Sequence, residues 1–193
     1  MKRFIASFIF ATLLLAQPAS ADVSAAEKFV DTVASKTLGI LQSKSSKTTQ
    51  SKKLEDLLGK HVDVQWIGRF VMGQHWRKTT KNQQKSYLKN YERFILKSYA
   101  KRFTEYKGSG YKILKSREDS KNKYTVKMTI DIDGKPTKVD YKIRKKSGKF
   151  RIYDLIVEGV SLITTQRSEF GSILSNKGVD HLIKQLANKA KEL

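Results

Sequence analysis

The chain has 193 residues and carries 39 Lys and Arg against 18 Asp and Glu, which gives a net charge of +21. It contains no cysteine, and this excludes disulfides, thiol catalysis and thiolate metal sites. The length fits one domain of ordinary size, which can bury a core without covalent cross-links.

The N-terminus has the pattern of a secretory signal peptide. Lys2 and Arg3 precede an apolar run that is shorter than the roughly 20 residues needed to span a bilayer. Ala19 and Ala21 supply the small residues of a cleavage site before Asp22. We therefore expect the leader to be removed and the mature protein to be exported.

The predicted division is a signal peptide over residues 1–21 and a single domain over residues 22–193. Removal of two cations with the leader lowers the net charge from +21 to +19. Export argues against nucleic acid as the partner of this charge. The remaining polyanions are phospholipid head groups, acidic glycans and acidic protein surfaces. The alternative is that the lysines only keep the chain in solution, and both interpretations stay open.

The first half of the chain predicts helices. Residues 22–41 form an amphipathic pattern at helical spacing. Residues 42–53 are rich in Ser, Thr and Lys and predict a loop or a frayed helix end, and residues 54–59 predict a short helical turn. Helices follow over 61–73 and over 82–103, the second of which carries an aromatic stripe on one face.

The pattern changes to a period of two after Gly108. The clearest strand covers residues 123–133, in which apolar side chains alternate with polar ones. Asp133-Gly134 and Ser147-Gly148 are turn signals between consecutive strands. Four strands joined by tight turns predict an antiparallel meander with one apolar face.

The last part of the chain returns to helix. An apolar segment over residues 150–163 is interrupted by Gly159, and helices are predicted over 168–175 and 178–190. The predicted fold is α+β, with several helices folded over one face of a curved antiparallel sheet of about four strands. Such a sheet can cover either a packed core or an apolar ligand, and the sequence pattern is the same for both.

No catalytic or metal-binding motif is present. His61, His75 and His181 are far apart in the sequence and have no second ligand at metal spacing. Asp154 is the one acid near the sheet that the pattern allows to point inward. An exported enzyme of the α+β isomerase type that uses Asp154 as a general base is therefore the competing interpretation, beside a polyanion-binding module.

Two ordered signatures resemble those of a known family. The first runs from an acidic residue through a helix to Trp-Arg, Thr and Gln, at Asp63, Met72-Gly73, Trp76-Arg77, Thr79 and Gln84. The second consists of Phe150, Ile152-Tyr153-Asp154, Glu158-Gly159-Val160-Ser161-Leu162 and Arg167-Ser168-Glu169-Phe170. Both resemble the MlaC-type periplasmic phospholipid-binding proteins, also described as toluene-tolerance auxiliary components. Thr165-Gln166 and Glu169 depart from the family pattern of Asn-Tyr and Gln.

The resemblance implies a nuclear-transport-factor-like sheet with helices that enclose an apolar pocket for the acyl chains of a glycerophospholipid. It also implies a monomeric periplasmic carrier that maintains outer-membrane lipid asymmetry. Its partners would be an outer-membrane lipoprotein–porin complex and an inner-membrane ABC transporter with a lipid-binding MCE subunit, with transient membrane-proximal contact. The resemblance implies no reaction, cofactor, metal or nucleic acid.

The residues expected to bind lipid share an inward position on the predicted helices or strands. They are Phe70, Val71, Trp76, Tyr91, Phe94, Val126, Met128, Ile130, Val139, Tyr141, Ile143, Val157, Val160, Leu162, Ile163 and Arg167. Gly159 permits a bend that carries the apolar lining around a corner. Arg167 would contact a lipid phosphate or pair with Asp154 or Glu158, and we favour the ion pair.

Overall fold

The computed structural model describes residues 18–105, 110–132 and 134–193. Most of the expected signal peptide, residues 1–17, lies outside the described residues, and so does Asp133 of the expected turn. Cleavage before Asp22 therefore stays a prediction. Within the described ranges, no helix combines the length and the apolar character needed to cross a bilayer.

The described chain is a run of helices, then a sheet, then a last helix. The helices are α1 (Pro18–Leu41), α2 (Lys47–His61), α3 (Val64–Met72), a 3-10 helix (Gly73–Lys78), α4 (Lys81–Glu105) and α5 (Leu162–Glu192). The strands are β1 (Tyr111–Ser120), β2 (Lys123–Ile132), β3 (Lys135–Lys146), β4 (Lys149–Val157) and β5 (Val160–Ser161).

The sheet is an antiparallel meander in the order β1-β2-β3-β4-β5. Ser147 and Gly148 both have positive φ at the β3–β4 turn, as a two-residue hairpin that matches strand twist requires. The predicted α+β class and the antiparallel meander are confirmed. The short strand β5 is an addition, and it lies next to the edge of β4.

The predicted loop over residues 42–53 is wrong from Lys47 onward. The side chain of Ser46 accepts a hydrogen bond from the Thr49 amide and begins a 15-residue helix there. Its buried positions are Gln50, Leu54 and Leu57, at helical spacing. Because one of the three is polar, the apolar pattern was too weak to show the first half of this helix.

Helix α5 begins earlier than predicted, at Leu162 instead of residue 168. The side chain of Ser161 accepts from the Thr164 amide and caps it. A break at Gly178, with φ 80° and ψ 174°, separates two helical segments, so the predicted division into two helices is seen within one continuous element. The apolar pair Leu162 and Ile163 is thus the first helical turn and not a continued strand.

The buried apolar residues form two separate clusters. The helix cluster joins α3, α4 and α5 and has its buried members at Val64, Ile67, Val71, Met72, Tyr87, Tyr91, Ile95, Ile163, Phe170, Leu174, Leu182 and Leu186. The sheet cluster joins α1 to β2 and β3 through Ala26, Val30, Ala34, Tyr124, Val126, Met128, Val139 and Ile143. The fold therefore has two cores, one beside the helices and one beneath α1.

Asp63 fixes the start of α3 to the sheet. Its Oδ1 accepts from the Trp66 amide at 3.2 Å and its Oδ2 accepts from Arg144 Nε at 2.7 Å. The guanidinium of Arg144 lies 5.0 Å from the centre of the Trp66 ring. The Asp63 amide also donates to the Ile152 carbonyl at 2.8 Å. One residue thus joins a helix N-terminus to β3 and β4.

We expect Asp63→Ala to lower the free energy of unfolding by about 3 kcal/mol, because it removes a helix cap and leaves a largely buried guanidinium unpaired. Asp63→Asn is the matched variant, since asparagine caps helices well but carries no charge. It should lose less than the alanine variant. Chemical denaturation followed by circular dichroism measures both, and equal losses would contradict a separate capping contribution.

Candidate functional site

A cavity of about 330 Å³ lies between the helix cluster and the sheet cluster. Members of both clusters line it, among them Ile67, Tyr91 and Ile95 from the first and Ala34 and Val139 from the second. The volume falls within the range of small-molecule pockets, roughly 300–1,000 Å³. The two cores do not merge, and the cavity is the space that remains between them.

The floor of the cavity is one end of the inward sheet face. Its lining residues from the strands are Tyr111, Ile130, Asp131, Ile132, Val139, Tyr141, Ile152, Asp154, Leu155 and Val157. Alternation along β2 directs Met128 and Ile130 to the same face. Only the Ile130 end reaches the cavity, because α1 covers the other end.

The walls come from helices α1 to α4 and the first turn of α5. Helix α1 contributes Val33, Ala34, Thr37, Leu38 and Leu41. Helix α4 contributes Tyr91, Ile95, Leu96, Tyr99, Arg102 and Phe103. Leu58, Val62, Ile67, Leu162, Ile163 and Gln166 complete these walls. Most of these side chains are aliphatic or aromatic, so the cavity suits an apolar guest.

The polar groups of the wall are mostly satisfied by the protein itself. Thr37 donates its hydroxyl to the Val33 carbonyl at 2.9 Å. The Tyr91 hydroxyl donates to Gln166 Oε1 at 2.5 Å. Burial raises the pKa of Tyr91 well above its usual value and raises the pKa of Tyr141 to about 12. Both phenols therefore stay neutral at physiological pH.

Asp154 is a buried carboxylate that holds the start of α5. Its Oδ2 accepts from the Ser161 hydroxyl at 2.6 Å, and its Oδ1 accepts from the Ile163 amide at 3.2 Å. The negative charge lies at a helix N-terminus, where the helix dipole stabilises it. Because both oxygens already accept hydrogen bonds, the arrangement explains the buried acid without a catalytic role.

A model of the protein family described as MlaC protein matches residues 31–188. The chain belongs to the MlaC family.

Two curated relatives extend this result. The intermembrane phospholipid transport system binding protein MlaC of Haemophilus influenzae is 26% identical over 200 residues, which cover 97% of this chain and 92% of the relative. The toluene tolerance protein ttg2D of Pseudomonas putida is 24% identical over 141 residues, covering 72% of this chain and 66% of the relative. The MlaC resemblance predicted from the two signatures is confirmed.

A solved structure shares the fold. The phospholipid-binding protein of Ralstonia solanacearum, solved in complex with a phospholipid, superimposes with a TM-score of 0.74 at 20% identity. The match covers 86% of this chain and 97% of that protein. At this identity the likeness concerns the fold, which is the α+β arrangement described above for the MlaC-family chain.

The structure brings seven of the sixteen predicted lipid-binding residues to the cavity wall. They are Tyr91, Ile130, Val139, Tyr141, Val157, Leu162 and Ile163. They come from α4, three strands and the first turn of α5. Their contact with lipid stays a prediction for this MlaC-family protein, and the shared cavity is the reason to keep it.

Nine of the predicted residues do not line this cavity. Val126, Met128 and Ile143 are packed in the sheet cluster beneath α1. Phe70, Val71, Trp76 and Phe94 belong to or pack against the helix cluster. Val160 is 56% exposed on β5, and Arg167 lies over Phe70. An inward position in the sequence pattern does not tell a packed core from a cavity wall.

Arg167 does not form the ion pair expected of it, and its contact with a lipid phosphate stays a prediction. Its guanidinium lies 4.8 Å from the centre of the Phe70 ring and packs against Gly73, whose φ is 54°. Among the described residues it forms no ion pair with Asp154 or Glu158. The favoured ion pair is therefore wrong, because Asp154 is already occupied by the α5 cap and the arginine stacks on an aromatic ring instead.

The contribution of α1 to the cavity was not predicted from the sequence. Leu38 and Leu41 line the cavity together with Tyr99 and Phe103 of α4. The helical spacing of both segments was visible in the sequence, but nothing in it indicated that their C-terminal ends extend past the covered part of the sheet. Within the described ranges, no group of three or more His, Asp or Glu side chains is arranged to hold a metal ion.

We expect Asp154→Ala to lower the free energy of unfolding by about 2–3 kcal/mol, because hydrogen bonds to a buried charge are lost. Ser161→Ala should lose about 1 kcal/mol as a missing helix cap. Since the two groups hydrogen-bond to each other, the double variant should lose less than the sum by at least about 0.5 kcal/mol. A double-mutant cycle in urea measures this coupling, and strict additivity would contradict it.

Proposed function

We propose that this MlaC-family chain is a periplasmic carrier that shuttles glycerophospholipids between the outer and inner membranes. The observation that carries the proposal is the apolar cavity between the two clusters, with walls from α1, α4 and the sheet. The names of the relatives support it, since one is an intermembrane phospholipid transport binding protein and the solved structure holds a phospholipid.

Energetics favour enclosure of the acyl chains. Each methylene kept from water contributes about 0.8 kcal/mol, and about 1.4 kcal/mol corresponds to a tenfold change in affinity. In the bilayer that a lipid leaves, its acyl chains are already shielded from water. A carrier must therefore keep most of each tail within its apolar walls, and the head group can stay outside. This arrangement implies weak selectivity among head groups.

The proposed partners follow from the family. The chain would receive lipid from an outer-membrane lipoprotein–porin complex and deliver it to an inner-membrane ABC transporter with an MCE subunit. It would act as a monomer and catalyse no reaction. The role of Asp154 in holding α5 supports this, because the one candidate base of the enzyme hypothesis already has two hydrogen-bond donors.

We expect protein purified from a bacterial host to carry phospholipid at close to one molecule per chain. Apolar tails in an apolar cavity would survive purification because the aqueous phase offers them no comparable environment. Mass spectrometry of an organic extract, with the protein quantified in parallel, measures the ratio. A folded preparation without stoichiometric lipid would count against the carrier.

A second experiment compares two positions on one face of β2. Ile130→Glu puts a carboxylate into the cavity wall, where water can enter, so the fold should survive and bound lipid should fall at least about tenfold. Met128→Glu buries the same group in the closed sheet cluster. That costs several kcal/mol, which is comparable with the whole free energy of unfolding, so this variant should unfold.

Circular dichroism and lipid extraction on the same preparations read out both variants. Wild-type lipid content in a folded Ile130→Glu protein would show that this end of the sheet does not contact the ligand.

A further inference from the structure

Helix α4 carries cations at every fourth position on its outer side. They are Lys81, Lys85, Lys89, Arg93, Lys97 and Lys101, here called the cationic row. Five of the six are exposed, and Lys97 donates to the Ala190 carbonyl at 2.9 Å. The row runs from Lys81 to Lys101, which corresponds to about 30 Å of helix.

The row stays on the solvent side because the packed residues have the same spacing. Tyr87, Tyr91, Ile95, Tyr99 and Phe103 also recur every four positions, and all are buried or half-buried. Each step of four residues turns by about 40° on an α-helix, so the two rows wind around α4 together and each cation lies opposite its neighbours in the packed row. Lys85, Lys89 and Arg93 lie within about 80° of one another and therefore present a cationic strip to one side of the helix.

Within the part of the chain that the structure describes, this strip has no carboxylate partner in an ion pair. All five ion pairs among the described residues use cations of β1, β2 or β3. Helix α4 has seven cations and only two acids, of which Glu92 accepts a hydrogen bond from Gln65. Like charges four residues apart destabilise a helix slightly. The arrangement therefore lowers helix stability without a compensating pair inside the fold.

A cation next to the end of the row lines the cavity. The last member of the row, Lys101, is followed by Arg102, which lines the cavity wall and is itself exposed. Arg102 is the one Lys or Arg among the residues that line this cavity in the described chain. Cations therefore run along α4 up to the place where an apolar guest is held.

We infer that the cationic row docks this protein on an anionic phospholipid surface, an inference that rests on the proposed carrier function. A stable protein–protein interface has an apolar core. The exposed large apolar residues of the described chain are Leu114, Val160 and Leu193, and none lies on α4. Attraction to anionic head groups requires only cations, and each Lys or Arg near the bilayer surface adds to that attraction. The row therefore fits a bilayer surface better than a protein.

Vesicle binding tests the inference. The purified chain is mixed with vesicles that contain phosphatidylglycerol or with vesicles of phosphatidylcholine alone, and the bound fraction is measured by flotation at low and high salt. We expect binding to the anionic vesicles only, with affinity falling as salt screens the charges. The triple variant K85Q/K89Q/R93Q should bind about 100-fold more weakly.

The matched control removes the same charge elsewhere. Lys115, Lys121 and Lys149 are exposed residues near or on the sheet, without a described ion pair. K115Q/K121Q/K149Q should bind the anionic vesicles within a few-fold of the unchanged chain. Equal weakening of both triple variants would overturn the inference in favour of diffuse attraction by the net charge.

Two further outcomes would also overturn it. One is that the unchanged chain does not bind anionic vesicles. The other is that the row variant binds vesicles like the unchanged chain but loses affinity for an acidic protein, which would assign the row to a protein partner. Lipid extracted from each preparation is measured separately. A row variant that keeps its bound lipid but no longer binds vesicles supports docking by the row. Absence of lipid from every preparation would refute the proposed carrier function and would leave the docking inference standing.

Discussion

The separation of the two hydrophobic clusters is the constraint on which the rest of the structure depends. Helix α1 covers only one end of the inward sheet face, and α3, α4 and α5 pack mainly with one another. A fully packed protein would close the remaining space at interior density. Here it stays open as a cavity of about 330 Å³ with apolar walls. A packed core and a cavity thus share one sheet face.

Two carboxylates keep the elements around this space in position. Asp63 caps α3 and binds Arg144 of β3, while Asp154 of β4 accepts from Ser161 and from the first turn of α5. In each case a charge satisfies a helix N-terminus and ties it to a strand. These hydrogen bonds and ion pairs suit a protein with a cavity, because side-chain packing does not fix the positions of helices and strands across an open space.

The charge of the chain is distributed in two ways. On the sheet, five cations of the described residues are engaged in ion pairs, such as that of Lys142 with Asp119 at 3.0 Å. On α4, cations face solvent at regular spacing, and within the described residues they have no carboxylate partners. A high net charge alone explains solubility. The regular row beside the cavity is a separate feature, and it makes the positive charge part of the carrier's proposed contact with membranes.

Local pattern determined most of the elements and the family. The period of two in β2 and β3, the Ser147-Gly148 turn and the two signatures around Asp63 and Asp154 predicted the antiparallel meander and the MlaC membership, because strand alternation and turn chemistry are local. The start of α2 was not predicted because its first buried residue, Gln50, is polar. The Gln50 side chain donates hydrogen bonds to the backbone carbonyls of Leu41 and Ser43, and an apolar sequence pattern does not show such contacts.

The tertiary structure alone decided which inward residues face a cavity. Met128 and Ile130 are both apolar, lie on the same strand and point the same way, yet one packs beneath α1 and the other lines the open space. Their sequence signal is identical because it reports only the direction of the side chain. The difference lies in how far α1 reaches across the sheet, and that is set by the packing of distant segments against each other.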